Sequence, residues 1–384
     1  MMRKKNIPVL DSLLSAAKNI RNPWLDKAID EGKNIVGIFY SETPEEILTA
    51  AGCIPIMLRG TNAEGTEFAE AYFRQLTCNY TRCTFNQILQ GDWDFLKGAV
   101  LFNNCDHIRR IYDNWKLIPD SPAYHLHYVP KKHGELAKNF YADQINSLIK
   151  STEERFGVKI TNDKLREAIE LHNDIRKLQQ KIYSFQKGKN IALTGEELIS
   201  VMLAGTCIPK EDYRDLLKEL IREIEASDER FIPATRLIYT GGHADSRELF
   251  RLFNNYGADI VADDLGFGTR ASDCLISNTG DSLKDIIDFY FDLKPQASRQ
   301  LGRQRERMER IVDKVKEFGA DGVVMTRVAM CDIWAFEQLM ARNHLLEKNI
   351  PLLELEVSYL PDGEGQLKTR AQAFIESINI RKMQ

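Results

Sequence analysis

The sequence predicts an α/β protein: two Rossmann-like parallel-sheet domains joined by a helical segment. Three observations carry this. Strand-like apolar runs alternate with helix-like runs near both ends of the chain, the pattern of a parallel, doubly wound sheet. The middle, from about Leu136 to Ser227, reads almost wholly as helix. One unit occurs twice, at Gly98–Asp106 and at Gly322–Asp332: a hydrophobic strand that runs into Cys-Asp and then into a helix. A chain of 384 residues is long enough for two ordinary domains. The expected divisions are an N-terminal α/β domain at 1–135, a helical connecting segment at 136–230 and a C-terminal α/β domain at 231–384.

The elements follow in order. Residues 34–41 form a continuous apolar run that reads as a buried strand. Pro44-Glu45-Glu46 opens a helix ending near Gly52, with Thr43 as its expected N-cap. Ile54 to Leu58 is a second strand. Helical stretches are expected around Thr66–Leu76 and Arg82–Gln90, with Cys78 between them. The first strand–Cys–Asp–helix unit comes next, its helix reaching Trp115, and a strand covers 123–129. In the middle segment, Asp163–Gln179 is rich in helix formers with apolar residues at helical spacing. Thr194-Gly-Glu-Glu has a capping-type start. Strands resume at Arg236–Thr240 and Ala258–Leu265, and Gly266-Phe-Gly-Thr-Arg270 is a loop. Helices fill roughly Ser282–Phe291 and Gln296–Phe318. The second unit follows, its helix reaching about Lys348. A strand at Pro351–Val357 and a helix over about Gln366–Ile378 close the chain.

Composition narrows the functional classes. A net charge of −4 carries no nucleic-acid footprint. No apolar run approaches the roughly 20 residues that span a membrane. The opening Met-Met-Arg-Lys-Lys-Asn has no apolar run behind it, so a cytoplasmic location is expected. The seven cysteines are scattered and odd in number, which argues against a disulfide framework. Cys53, Cys207 and Cys274 read as small buried core residues.

Cys105 and Cys331 stand at the carboxyl end of a strand and the amino end of a helix. Ligands bind there in open α/β sheets, and the helix terminus favours a thiolate. Cys78, in Leu76-Thr-Cys-Asn-Tyr-Thr-Arg-Cys83, lies just before another helix. Three thiolates suit a soft metal site, either zinc or an iron–sulfur cluster. The bland reading is core cysteines with helix-capping aspartates. The repetition of the unit is what weighs against it.

Several ordered segments together resemble the iron–sulfur subunits (D-component type) of the 2-hydroxyacyl-CoA dehydratase and benzoyl-CoA reductase family. They are Val36–Pro55, Cys78-Asn-Tyr-Thr-Arg, Asn104–Trp115, Met330-Cys-Asp332, Pro351–Glu356 and Gly365–Phe374. The resemblance implies one [4Fe-4S] cluster held by Cys78, Cys105 and Cys331. It implies pairing with a paralogous iron–sulfur subunit, and a separate dimeric ATPase activator that hydrolyses ATP to deliver single electrons. This chain has no phosphate-binding Walker pattern of its own. In the dehydratases the electron enters the thioester carbonyl of an acyl-CoA, and the ketyl radical expels the 2-hydroxyl. In the reductases an aromatic acyl-CoA ring is reduced. Cys83 departs from the three-cysteine pattern and reads first as an inward-packed helix residue. One branch resembles a homodimeric reductase with a double-cubane [8Fe-9S] cluster, for which Cys83 or Cys274 could supply extra thiols. The leading expectation is 2-hydroxyacyl-CoA dehydration. Aromatic acyl-CoA reduction, the double-cubane reductase and a cluster-free structural paralogue are the rivals.

Other residues could serve such a site. Tyr40 and Ser41 end the first strand, and Ser41 could hold the thioester carbonyl or a metal-bound hydroxyl. His107, one turn into the Cys105 helix, could donate to substrate or cluster sulfur. His125 and His127 face one side of a strand. Asp106 and Asp332 are expected helix caps. Gly241-Gly242-His243 could let backbone amides approach a phosphate or a cluster, and Arg270 could contact a CoA phosphate. Arg299, Arg303, Arg305, Arg307 and Arg310 read with Glu306 and Glu309 as a solvated helix face.

Overall fold

A computed structural model describes residues 7–39, 42–103, 105–242, 247–298, 303–360 and 364–384. It has two four-stranded sheets, every pairing parallel. The first contains β1 (Asn34–Ile38), β2 (Cys53–Met57), β3 (Gly98–Phe102) and β4 (Ala123–His127), in the order β2-β1-β3-β4. The second contains β5 (Thr235–Gly241), β6 (Ala258–Asp264), β7 (Gly322–Val328) and β8 (Leu352–Val357), in the order β6-β5-β7-β8. The two orders are the same. β3 and β7, which lead to Cys105 and Cys331, therefore occupy equivalent third positions beside the point where strand order reverses. The crevice there is the usual ligand position of such sheets.

Helices α1 (Pro8–Lys18) and α2 (Pro23–Asp30) precede the first sheet. Within it lie α3 (Glu45–Ala50), α4 (Asn79–Gln90) and α5 (Asp106–Trp115). Four helices separate the sheets: α6 (Glu135–Phe156), α7 (Asn162–Ser184), α8 (Gly195–Ala204) and α9 (Lys210–Ala226). The second sheet carries α10 (Arg247–Asn254), α11 (Thr269–Ser272), α12 (Ser282–Asp288), α13 (Gln304–Glu317), α14 (Asp332–Glu347) and α15 (Glu364–Met383). The Thr194 capping box opens α8 as its sequence predicts.

One apolar core joins the second sheet to α1, α8 and α9. A second fills one face of the first sheet beneath α4 and α5, and takes in Val328, Cys331, Val357 and Tyr359 from the far end of the chain. A third covers the other face with α6, α7 and residues 276–291. The chain thus crosses between its halves in both directions.

Three local expectations are overturned. Thr43 caps nothing: α3 begins after Pro44, and the Thr43 hydroxyl donates to Phe39 O at 3.2 Å. Residues 66–76 form only a 3-10 turn at Ala69–Ala71, because the Asn86 side chain accepts from the Phe68 and Ala69 amides at 2.9 and 3.2 Å. The helix expected from Gln296 starts instead at Gln304. Gln296 Nε2 is bound to the carbonyls of Tyr290 and Lys294, and Pro295 holds Lys294 extended.

The arginine row is only partly a solvated face: Arg305 and Glu306 are exposed, but two of its members turn inward. Arg307 is buried against Glu337 at 2.5 Å, and Arg310 binds Asp264 at 2.6 Å and Asp273 at 2.7 Å. Cys274, expected in the core, is partly exposed, and its thiol reaches Leu293 O at 3.6 Å.

Candidate functional site

Three helices begin on the three candidate thiols. Cys78 is the N-cap of α4, Cys105 of α5 and Cys331 of α14. The aspartates that follow are first-turn residues, not caps, so the cysteines take the position expected of Asp106 and Asp332. The Cys105 sulfur accepts from the Ile108 amide at 3.5 Å. Cys78 Sγ lies 3.3 Å from Thr81 Oγ1. Met330, just before Cys331, adopts a left-handed φ of 65°, which turns the chain from β7 into α14.

Burial dominates the acidity of all three thiols. Burial is the main cause that pushes Cys105 up to about 12, and the charges of Cys78 and Cys331 push it further. Burial likewise pushes Cys331 up to about 11, with Cys78 and Asp332 adding to it and the Trp334 and Ile333 amides pulling the other way. Cys78 is raised by burial against the pull of Thr81 and Arg82. The helix termini were expected to favour thiolates. Desolvation outweighs them here, so the metal-free thiols are neutral at neutral pH. Among the described residues, no three Cys, His, Asp or Glu side chains crowd together closely enough to share a single metal ion.

Contacts between the two ends of the chain bring Cys331 to the other two. Asn79 Nδ2 donates to Ser358 Oγ at 2.6 Å, and the Tyr80 and Tyr359 rings lie 5.1 Å apart. His107, half-buried on α5, accepts the Cys78 amide on Nδ1 at 3.3 Å. In the neutral ring that leaves the proton on Nε2. Burial lowers the His107 pKa, and Asp332 and Asp106 partly restore it. His107 therefore ties the Cys78 loop to the first turn of α5. Sequence reasoning missed Thr81, Asn79 and Ser358. Only the Cys-x-x-Thr spacing before a helix hinted at the first.

The other candidates lie apart or outside. Tyr40, Ser41, His243 and Arg299 lie outside the described residues. Cys83 is fully buried on α4, its Cβ so close to Gly60 that a Cβ there would meet it at 2.8 Å. His125 and His127 face α6: His125 Nδ1 meets Ser151 Oγ at 2.9 Å, and His127 packs on Phe102 and Tyr141. Burial pushes them down to about 4 and about 3. The cysteines belong to the opposite face of that sheet. Gly241, at φ 141°, is closed against β7, where a Cβ would fall 2.2 Å from Thr326 O.

Among known proteins, residues 40–378 match the family model described as 2-hydroxyglutaryl-CoA dehydratase, D-component. The chain is 26% identical to the (R)-phenyllactyl-CoA dehydratase beta subunit of Clostridium sporogenes, over 94% of this chain and 96% of that protein. It is 24% identical to a benzoyl-CoA reductase subunit of Thauera aromatica, over 92% and 93%. It is also 24% identical to the lactoyl-CoA dehydratase beta subunit of Anaerotignum propionicum, over 96% and 98%. These relatives are subunits of enzymes, and the match runs almost end to end in each. With two parallel sheets, and three helix-capping cysteines drawn from both ends of the matched region, the chain belongs to the 2-hydroxyglutaryl-CoA dehydratase D-component family.

Proposed function

We propose that this chain is the iron–sulfur subunit of an ATP-activated 2-hydroxyacyl-CoA dehydratase, holding one [4Fe-4S] cluster through Cys78, Cys105 and Cys331. The observation that carries the reading is that three cysteines from distant parts of the chain, each at the N-cap position of a helix, pack into one apolar cluster. The donor set fits: thiolates are the ligands such clusters require, and three leave one iron free for another ligand. A bound cluster supplies one-electron chemistry at low potential, and the protein positions and insulates it.

The chain's own residues do the rest. Three helix amino ends direct partial positive charge at the sulfurs and offset the negative charge of a thiolate-bound cluster. The apolar surroundings of Val328, Ile108 and Tyr80 keep water away. His107 holds the Cys78 loop through its Nδ1 and presents an Nε2 proton. Loading the site displaces the thiol protons, so assembly is favoured as pH rises. By analogy with the beta subunits it resembles, the chain works with a partner subunit; the family resemblance adds that this partner is paralogous and that a separate ATPase activator supplies the electrons. The comparable likeness to the Thauera aromatica benzoyl-CoA reductase keeps aromatic acyl-CoA reduction as the second reading.

Anaerobic purification with iron and sulfide analysis tests this. About four irons per chain are expected, against about eight for a double cubane. Replacing Cys78, Cys105 or Cys331 by Ala should each remove most of the iron, whereas Cys83→Ala should retain it. A protein that stays colourless and iron-free after anaerobic reconstitution sinks the cluster reading. With partner and activator supplied, turnover of a 2-hydroxyacyl-CoA rather than benzoyl-CoA separates the two activities.

A further inference from the structure

We propose that the carboxyl end of β5 and β6 is a phosphate-binding site centred on Arg270. Arg270 lies on α11, six residues beyond the end of β6, and its amide donates back to Leu265 O at 3.3 Å. Its side chain is only 7% exposed, yet Nε and Nη1 are buried with no hydrogen-bond partner. A buried guanidinium without an anion is among the costliest arrangements a protein can hold.

The nearby carboxylates are already committed. Asp263 accepts from the Leu265 and Thr269 amides at 2.9 and 3.1 Å and from the Tyr183 hydroxyl. Asp264 is taken by Arg310, and Asp273 by Arg310 and Lys314.

Two more buried groups at the same end of the sheet lack partners. Thr240 pairs with Asp264 in the strand register, and its Oγ1 is unbonded. Gln304 opens α13, the helix that packs on β5 and β6, and its Nε2 is unbonded. All three groups can donate, so what this end of the sheet lacks is an acceptor. An arginine fork beside hydroxyl and amide donors matches the oxygens of a phosphate. Strands about 5 Å apart put β6 about 10 Å from β7, so a ligand anchored here can reach toward Cys331. Only that last link, to the phosphate of an acyl-CoA, rests on the proposed function. Phosphate binding itself needs no iron.

The test is thermal denaturation of the full chain in chloride buffer with added inorganic phosphate, coenzyme A, 3′-dephospho-coenzyme A or butyrate. Phosphate is expected to raise Tm in a concentration-dependent way. Arg270→Met should weaken that binding about tenfold or more, and Thr240→Val, which keeps the charge, more modestly. Without ligand, Arg270→Met should melt at or above the wild type, since it removes an unpaired buried charge. A larger effect of coenzyme A than of its dephospho form identifies the nucleotide phosphate as the source; equal effects of coenzyme A and inorganic phosphate identify free phosphate. The proposal is overturned if only butyrate acts, if nothing acts on the wild type, or if Arg270→Met melts lower and keeps the full phosphate response.

Discussion

Glu46 is fully buried on α3, where it accepts from Arg176 Nη2 at 2.5 Å and from the Tyr290 hydroxyl at 2.8 Å. Burial works to raise its pKa, but the charges of Arg176 and His172 and the Arg176 hydrogen bond outweigh it and hold the carboxyl at about 2. The folded value is below the unfolded one, so the stabilisation is complete above about pH 4.5 and is lost as pH falls toward 2. Glu46→Gln should therefore cost about 3 kcal/mol at pH 7 and little near pH 2, measured by urea unfolding. Asp259 behaves oppositely. Burial raises it to about 7, although the Gly195 and Ile260 amides donate to Oδ1 at 2.6 and 2.9 Å, and Oδ2 has no partner. Its charged form is the penalised one, so stability is lost as pH rises through 7. Asp259→Asn should gain about 1–2 kcal/mol at pH 8, and the gain should vanish near pH 4 in the same assay.

At the scale of elements, the informative feature is how a strand is turned into a helix that begins on a cysteine. β7 ends at Val328, Met330 takes the left-handed conformation, and Cys331 stands at the N-cap position of α14. A left-handed L-residue costs about 1–2 kcal/mol, most of all for a β-branched side chain. Met330→Val should lower stability by roughly that amount and reduce iron content on anaerobic reconstitution, while Met330→Gly should do neither. Equal iron in the valine and glycine variants would show that this turn does not position the thiol.

Across the whole molecule, the three candidate thiols share one apolar cluster where the two ends of the chain meet. Val328, Cys331, Val357 and Tyr359 pack into the core beneath α4 and α5, and Asn79 bonds Ser358. Arg176, on a connecting helix, ties Glu46 near the start of the chain to Ala271 O at 3.3 Å and stacks over Phe289. Tyr359→Ala should leave the circular-dichroism spectrum unchanged yet reduce iron per chain and speed its loss to chelator. If iron is held as firmly as in the wild type, the β8 end plays no part in bringing Cys331 to the other thiols.

Local pattern was sufficient for the two parallel sheets, the helical middle, the Thr194 capping box and the repeated strand–Cys–Asp–helix unit. Alternating apolar runs, capping residues and helix formers act over a few neighbours, and those neighbours are written in the chain. The three candidate thiols were also legible, as residue types at element ends. Tertiary structure alone decided what environment could not be read from neighbours. Asn86 prevented the helix expected at 66–76, and Glu337, Asp264 and Asp273 drew Arg307 and Arg310 inward from a face that looked solvated. Desolvation reversed the expected charge of the thiols. The unbonded Nε and Nη1 of Arg270 appeared only once Asp263, Asp264 and Asp273 had been assigned to other partners. Burial and pairing depend on residues distant in sequence, so they are settled when the chain packs.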